Sequence, residues 1–334
     1  MNILTERLID YKTQSNYINQ FMQDIHLGLS SESKFIPSKY FYDEKGSAIF
    51  KEITNLPEYY PTESERSILK IYSDQIITGA LRNIPENKKL NIIELGAGDS
   101  DKPYHLIDAL YKANHKFTYN AIDISPDALN DFEINLKNKY PDIEFNGIAG
   151  EYFNTLEHLE EDQSCRNLVL FLGSNIGNLD LNQAAKFLNH LKECMNPEDF
   201  ILIGFDLAKD MQTMINAYSD SAGITEQFNL NLLKRINKEL GGNFETDNFF
   251  HYATYNAHKG AMESFLISTK HQKISIDYLK RNYVVEEFEA IHTEYSFKYT
   301  HKQIQDLAAS CGLQVTEKFL DDQNYFTNYL LTCK

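Results

Sequence analysis

Asn91-Ile92-Ile93-Glu94-Leu95-Gly96-Ala97-Gly98-Asp99-Ser100 is the stretch on which the fold turns. An apolar run of strand length ends in two glycines one residue apart, and KPYHLIDALYKA (102–113) follows with helical spacing. Glycines at such a junction let the backbone turn sharply and pass close to a ligand. Further along, YNAIDI (119–124) reads as the next strand, and PDALNDFEINLKNKY (126–140) as a helix with proline in its first turn. IEFNGI, NLVLFLG and DFILIGFDL read as further strands, with a helix over LNQAAKFLNHLKECM (181–195) before the last of them. Apolar strands alternating with amphipathic helices predict a parallel sheet covered on both faces.

That alternation stops after residue 208. Residues 209–240 read as helical, and the stretch 249–296 as antiparallel strands in FFHYATYN, AMESFLISTK and EAIHTEYSFKY. HKQIQDLAASCG (301–312) returns to helix with Gly312 as its stop, and LQVTEKFLD and NYFTNYLLTC form two closing strands. An antiparallel pair appended to a parallel sheet is how the class I methyltransferase sheet ends. The expected fold class is therefore α/β: a Rossmann-like class I methyltransferase core (60–208 and 297–334) with a second, mixed α+β substrate lobe (1–59 and 209–296).

With 334 residues, 42% hydrophobic and 24% charged, the chain has enough apolar surface to bury a core. A formal net charge of -16 argues against a nucleic-acid partner, because phosphate backbones are bound by clustered Lys and Arg. Cys165, Cys194, Cys311 and Cys333 are scattered without a Cys-x-x-Cys pair, which fits reduced thiols better than a disulfide frame or zinc site. The opening MNILTERLIDYKTQ lacks the apolar stretch of a signal peptide, and no apolar run approaches membrane-spanning length. A cytoplasmic protein without a membrane partner is expected, and no metal is expected either.

The loop chemistry points to a cofactor. A dinucleotide site would want a third glycine where Asp101 stands, and Glu94, Asp99 and Asp101 would repel a pyrophosphate. S-adenosylmethionine carries a sulfonium cation and no phosphate, so acidic residues suit it. Asp123 ends the second strand at the carboxyl edge of the sheet, where a carboxylate accepts hydrogen bonds from both ribose hydroxyls. Its alternative is a helix cap before Pro126, a job for which Ser125 is better placed. After the third strand, Glu151 and Tyr152 pair an acceptor with a ring, as an adenine requires, or else form a surface loop. The fourth-strand edge, FLGSNIGN (171–178), has neither the Asn/Asp-Pro-Pro-aromatic motif of adenine and glutamine amide methyltransferases nor the acidic residue of aminopropyltransferases. A different substrate anchor is implied.

YFYDEKGSAIF (40–50), LPEYYPTESE (56–65), ELGAGDS, FLGSNIGN, FDLAKD (205–210), AYSD (217–220), FNLNLLKRINKELGG (228–242) and IHTEYSFKY (291–299) occur in this order. Together they resemble the histidine Nα-methyltransferase family of ergothioneine biosynthesis, over about residues 35–330. The resemblance implies S-adenosylmethionine-dependent methylation of the α-amino group of a free amino acid, L-histidine first, giving trimethylhistidine (hercynine). Relatives that methylate tryptophan derivatives supply the alternative substrate. It also implies that Gly96, Gly98, Lys102, Asp123, Glu151 and Tyr152 contact the cofactor, although an Asp-Phe pair is commoner at the last two. Asn178 and Tyr218 match residues that hold the substrate carboxylate, Tyr42 and Tyr59 line the amino-acid pocket, and Glu294 and Ser296 match groups that bind imidazole. Ser264 stands where the histidine enzyme has Met beside the substrate ring.

Tyr42 or Tyr59 is expected to contact the amine, leaving no strong dedicated base. Bland roles compete for single residues: Asn178 as a loop closure before Asp180, Glu294 as a solvated charge, any one of 21 tyrosines as core. Two other functional classes compete for the whole chain. A non-catalytic S-adenosylmethionine-binding protein would keep the glycine loop, and an enzyme acting on protein or nucleic acid would need an open or basic groove.

Overall fold

The computed structural model describes residues 11–85, 88–98, 102–150 and 165–333. They divide into two compact units: one takes in the chain up to Leu56, Met214–Asn256 and Met262–Tyr295, the other Pro57–Thr213, Ala257–Ala261 and Ser296–Lys334.

The second of these units is built on strands β1 (Lys89–Leu95), β2 (Phe117–Asp123), β3 (Phe145–Ala149), β4 (Cys165–Phe171) and β5 (Phe200–Asp206). In chain order, β6 (Phe249–Asn256), β7 (Ala261–Ser268), β8 (Gln272–Ile276), β9 (Arg281–Val285) and β10 (Ala290–Phe297) follow in smaller sheets. β11 (Leu313–Leu320) and β12 (Phe326–Cys333) then return to the large one. Its order is β3-β2-β1-β4-β5-β12-β11, with the first five parallel and the last pair antiparallel. The core is thus a Rossmann-like, α/β class I methyltransferase fold.

Both faces of this sheet are buried, which is why its central strands are apolar nearly throughout. On one side Ile92, Tyr119, Leu168 and Leu202 pack with Ile68, Leu106 and Phe132 from helices Tyr60–Ala80, Tyr104–Lys112 and Pro126–Lys139. On the other, Ile93, Ile122, Val169 and Ile203 pack with Phe187 and Ile304 from helices Leu181–Glu193 and His301–Ser310. Gly312, at φ +67°, ends the latter helix as its composition predicts.

A run of amides crosses four of the parallel strands at their second to fourth residues. Asn146 donates to Asn120 at 2.9 Å, Asn120 to Asn91, Asn91 to Asn167 at 3.0 Å, and Asn167 to the carboxylate of Asp199 at 2.8 Å. Backbone register places Asn91 opposite Asn167 and Asn120 opposite Asn146.

In the other unit, β10-β7-β6 form a three-stranded sheet and β8-β9 an antiparallel hairpin. Helix Glu44–Ile53 lies along helix Ile224–Leu240, and Phe41 stacks on Phe228 with centroids 4.4 Å apart. The Arg235 guanidinium pairs with the Glu239 carboxylate at 2.9 Å, donates to the Tyr40 carbonyl and lies over the Tyr17, Phe21 and Tyr40 rings, so its charge is met by a carboxylate within an aromatic nest.

Two readings need refinement. The helical stretch 209–240 is two helices, Met211–Tyr218 and Ile224–Leu240, because the Asp220 carboxylate takes the Ile224 and Thr225 amides at 2.9 and 2.7 Å and starts a new helix. The β8-β9 hairpin carries no Asn-Gly or Asp-Gly signal, and its turn places Lys280 at φ +51° instead.

Candidate active site

The glycine loop behaves as its sequence demands. Gly96 and Gly98 sit at φ +74° and +55°, and the Gly96 and Ala97 amides return to the Ile122 carbonyl at 2.8 and 3.3 Å, tying the end of β1 to β2. Among the described residues, a Cβ built on Gly98 meets nothing within 4 Å, so the backbone faces open space there. Asp123 accepts from the Gly98 amide through one oxygen and from the Ser125 amide through the other, both at 2.9 Å. Ser125 caps the helix with its own side chain, which frees Asp123 from that task. Burial raises the Asp123 carboxyl above its ordinary value, partly offset by those backbone hydrogen bonds.

Glu94 departs from the reading that made it part of an acidic loop. It is buried, accepts from the Tyr119 hydroxyl at 2.6 Å, and is pushed up to about 8 by burial. At neutral pH it is mostly the neutral acid, so the carboxylate charge the described residues present beside the loop is that of Asp123. Asp99, Asp101, Glu151 and Tyr152 lie outside the described residues.

Lys102 pairs with the fully buried Glu65 at 2.6 Å. The same carboxylate accepts from the Gly173 amide at 2.7 Å and from Asn328 at 3.0 Å, so Lys102 is anchored beside the end of β4. Glu65 was not legible as a site residue: in YPTESERSILK it resembles Glu63, which is exposed.

The loop after β4 is held from three sides. Gly173 and Ser174 both adopt left-handed backbone, Ser174 Oγ accepts from the Asp206 amide at 3.1 Å, and a Cβ on Gly177 would lie 3.0 Å from the Phe297 carbonyl. A non-glycine residue at φ +56° is a strained choice that the surrounding hydrogen bonds must hold. The loop ends in a 3-10 turn, Asn175–Asn178, that leaves Asn178 exposed. Asn178 does not start the next helix; Asp180 does, through a complete capping box with Gln183.

Behind that loop sits a buried ionic cluster that the sequence reading missed. Asp206, at the end of β5, accepts from Lys298 at 2.8 Å, from Lys209, and from the Tyr60 hydroxyl at 2.9 Å. Burial opposes ionisation of Asp206, but the Lys298 and Lys209 ammoniums outweigh it and hold the carboxyl below its usual value. Burial brings Lys209 down to about 8, with its ammonium 4.1 Å above the Tyr60 ring. Lys298 also donates to Ser296 Oγ at 2.7 Å. The available signal was Ser296-x-Lys298, two polar residues alternating with Tyr295, Phe297 and Tyr299.

The core unit therefore gathers Gly96, Gly98 and Asp123 at one strand edge, and Lys102, the Asn178 loop and Ser296 around Glu65 and Asp206. Tyr59 directly precedes helix Tyr60–Ala80 and makes no side-chain cap bond to it. In the other unit, Tyr42 packs edge-on against Phe50 and Phe228 at 5.5 and 5.8 Å, and Tyr218 is the buried last residue of its helix. Ser264 lies buried on β7, its carbonyl 3.0 Å from the Thr293 hydroxyl on the neighbouring β10, the strand that also carries the half-buried Glu294.

Among the described residues, no group of three or more His, Cys, Asp or Glu is placed to hold a metal ion, and no helix is long and apolar enough to cross a membrane. A family model described as histidine-specific, S-adenosylmethionine-dependent methyltransferase matches residues 21–333. The chain is 33% identical to histidine N-alpha-methyltransferase of Mycolicibacterium smegmatis, covering 97% of this chain and 98% of that protein. It is 33% identical to the enzyme of the same name from Mycobacterium tuberculosis, over 91% and 92% of the two chains. It is 35% identical to ergothioneine biosynthesis protein 1 of Schizosaccharomyces pombe, over 69% of this chain and 30% of that one.

Proposed function

Because this chain belongs to the family of S-adenosylmethionine-dependent, histidine-specific methyltransferases, we propose that it methylates the α-amino group of free L-histidine through to the trimethylated product, hercynine. It is an enzyme, and S-adenosylmethionine is its cofactor. The observation that carries the substrate reading is the 33% identity to a histidine N-alpha-methyltransferase along 97% of the chain. The tryptophan alternative is not favoured by these matches.

The residues present fit the cofactor. Open space beside Gly98 and a backbone-held carboxylate at Asp123 suit a ligand with ribose hydroxyls and no phosphate. Gly96, Gly98, Lys102, Asp123, Glu151 and Tyr152 would hold it, and bound there it supplies a methyl group on a positively charged sulfur. The remaining catalytic demands fall on the chain. An ammonium has no lone pair, so the substrate amine, which titrates near 7.7–8.0 in peptides, must arrive or become neutral. It must also be aimed, since orientation is the main lever for a direct displacement.

We assign Asn178 and Tyr218 to the substrate carboxylate, Tyr42 and Tyr59 to the amine and its surroundings, Ser264 to the wall beside the ring, and Glu294 and Ser296 to the imidazole. The segments 1–59 and 209–296 form the substrate lobe of this proposal. A small-molecule substrate and a cytoplasmic location belong to the same reading, supported by four free cysteines and the net charge of -16. The test is a mass-spectrometric screen of the amino acids with S-adenosylmethionine. Histidine should gain three methyl groups; a screen in which histidine gains none rejects the substrate.

A further inference from the structure

The pairing of β4 with β5 ends at Phe171 and Ile203, and the β4 chain then turns away through Leu172, Gly173 and Ser174. Past that point the Asp206 amide donates to Ser174 Oγ at 3.1 Å, so a side-chain hydroxyl continues the join between the two segments. Serine is a strained residue for this place. Its backbone stands at φ +56° and ψ +26°, a left-handed conformation that glycine adopts freely and a residue with a Cβ does not. Nor does its side chain cap the 3-10 turn Asn175–Asn178, which is the usual reason for a serine at such a start. The hydroxyl is spent on β5 instead. Strain that persists at one residue points to what that residue holds in place.

What the hydroxyl meets is rigid. The Asp206 carboxylate accepts from Lys298 at 2.8 Å, from the Tyr60 hydroxyl at 2.9 Å and from Lys209, and its carbonyl receives the Tyr299 amide at 3.0 Å. The turn is in its turn built on Ser174. The Ser174 carbonyl accepts the Gly177 amide at 2.8 Å, and a Cβ on Gly177 would lie 3.3 Å from Ser174 Oγ. Ile176 is fully buried within the turn, and its carbonyl accepts from the Tyr299 hydroxyl at 3.3 Å. Asn178, the last residue of the turn, is exposed. All of these residues belong to the core unit.

We propose that Ser174 is a positioning residue for recognition of the substrate carboxylate: its hydroxyl pins the left-handed entry of the turn to the end of β5 and so fixes where Asn178 is presented. This rests on the reading that Asn178 holds that carboxylate. Without the hydroxyl nothing offsets the strain at residue 174, and the turn loosens. The loss falls on substrate affinity, because Gly98 and Asp123 are held by their own bonds at the end of β2.

A double-mutant cycle of Ser174 with Asn178 tests this on the full-length enzyme, using L-histidine as substrate and calorimetric S-adenosylmethionine binding as the check on folding. Ser174→Ala should raise the histidine KM at least about fivefold, as the loss of one hydrogen bond does, and leave S-adenosylmethionine affinity within about twofold. In an Asn178→Ala background the same substitution should move KM less than about twofold, because no amide is left to aim. An unchanged KM in Ser174→Ala, or an equal rise in both backgrounds, overturns the proposal and leaves Ser174 a purely structural residue. If Asn178→Ala itself leaves KM unaltered, the assignment of Asn178 fails and the proposal falls with it. A raised KM in Asn178→Ala beside an inert Ser174→Ala defeats the proposal alone. Should Ser174→Ala abolish cofactor binding, Ser174→Gly runs the same cycle, since glycine takes the left-handed backbone without strain and lacks only the hydroxyl. A KM raised only where Asn178 is present supports the assignment; one that is unaltered, or shifted equally in both backgrounds, rejects it.

Discussion

Lys102 and Glu65 form an ion pair of 2.6 Å in which the carboxylate is wholly shielded from solvent. The family resemblance gave Lys102 to the cofactor; the structure shows it neutralising a charge that joins helix Tyr60–Ala80 to β4 and β12. Removing one partner of a buried pair leaves the other uncompensated, which costs about 3–5 kcal/mol. Lys102→Met should lower unfolding stability by that order in urea titration without ligand. A loss under about 1 kcal/mol would mean that Gly173 and Asn328 alone satisfy Glu65.

Asp123 is expected to govern cofactor affinity. Its carboxylate is already held at both oxygens by backbone amides, so its position does not depend on the ligand. Asp123→Ala deletes two charge-assisted bonds to ribose hydroxyls worth about 1.5–3 kcal/mol each, and calorimetry should show affinity falling at least about tenfold with the circular dichroism unchanged. Unaltered affinity would confine Asp123 to the structural role of tying β2 to the glycine loop.

Glu94 sets a pH dependence of stability. Its folded value, raised to about 8, lies above the ordinary 4.5, so the folded state holds a proton that the unfolded chain releases. That contribution is complete below pH 4.5 and is lost as pH climbs toward 8. Glu94→Gln keeps an acceptor for Tyr119 and has no proton to lose. Urea midpoints at pH 5 and pH 8 should therefore converge in the variant relative to wild type. Equal pH slopes in the two proteins would place the ionisation elsewhere.

Side-chain choice follows from Glu294. A neutral imidazole gives it an N–H, and a site with paired polar groups rejects ligands that leave them unmatched by factors on the order of 10⁴. Wild type should prefer histidine to tryptophan in kcat/KM on that scale, although Ser264 in place of methionine widens the wall beside the ring. Glu294→Ala should erode the preference while sparing cofactor binding. A wild-type preference for tryptophan would refute the assignment.

The core was legible because its information is local: strand-length apolar runs, helix caps and a glycine-bearing turn each announce themselves within about ten residues. The order of elements from Lys89 to Asp206 follows directly. What escaped was set by partners far along the chain. Glu65 meets Lys102 and Asn328, and Asp206 meets Lys298 and Tyr60. Nothing in YPTESE or FDLAKD marks one acid as buried and its neighbour as exposed. The β8-β9 hairpin escaped for a different reason, since a lysine occupies the turn position that glycine or asparagine usually advertises.

The amide run from Asn146 to Asp199 works as a datum line for the sheet. Each asparagine passes a hydrogen onward, and the series stops at Asp199, which as a carboxylate only receives. A slip of one residue in β1 would bring Ile92 into line and strand the amides on either side, a fault that apolar packing alone would penalise less sharply. Strands levelled at these amides finish at fixed heights at their carboxyl ends. Asp123, Gly98 and the Asn178 turn thus owe their relative elevation to four amides and a carboxylate farther back in the sheet, none of which has any chemistry to perform.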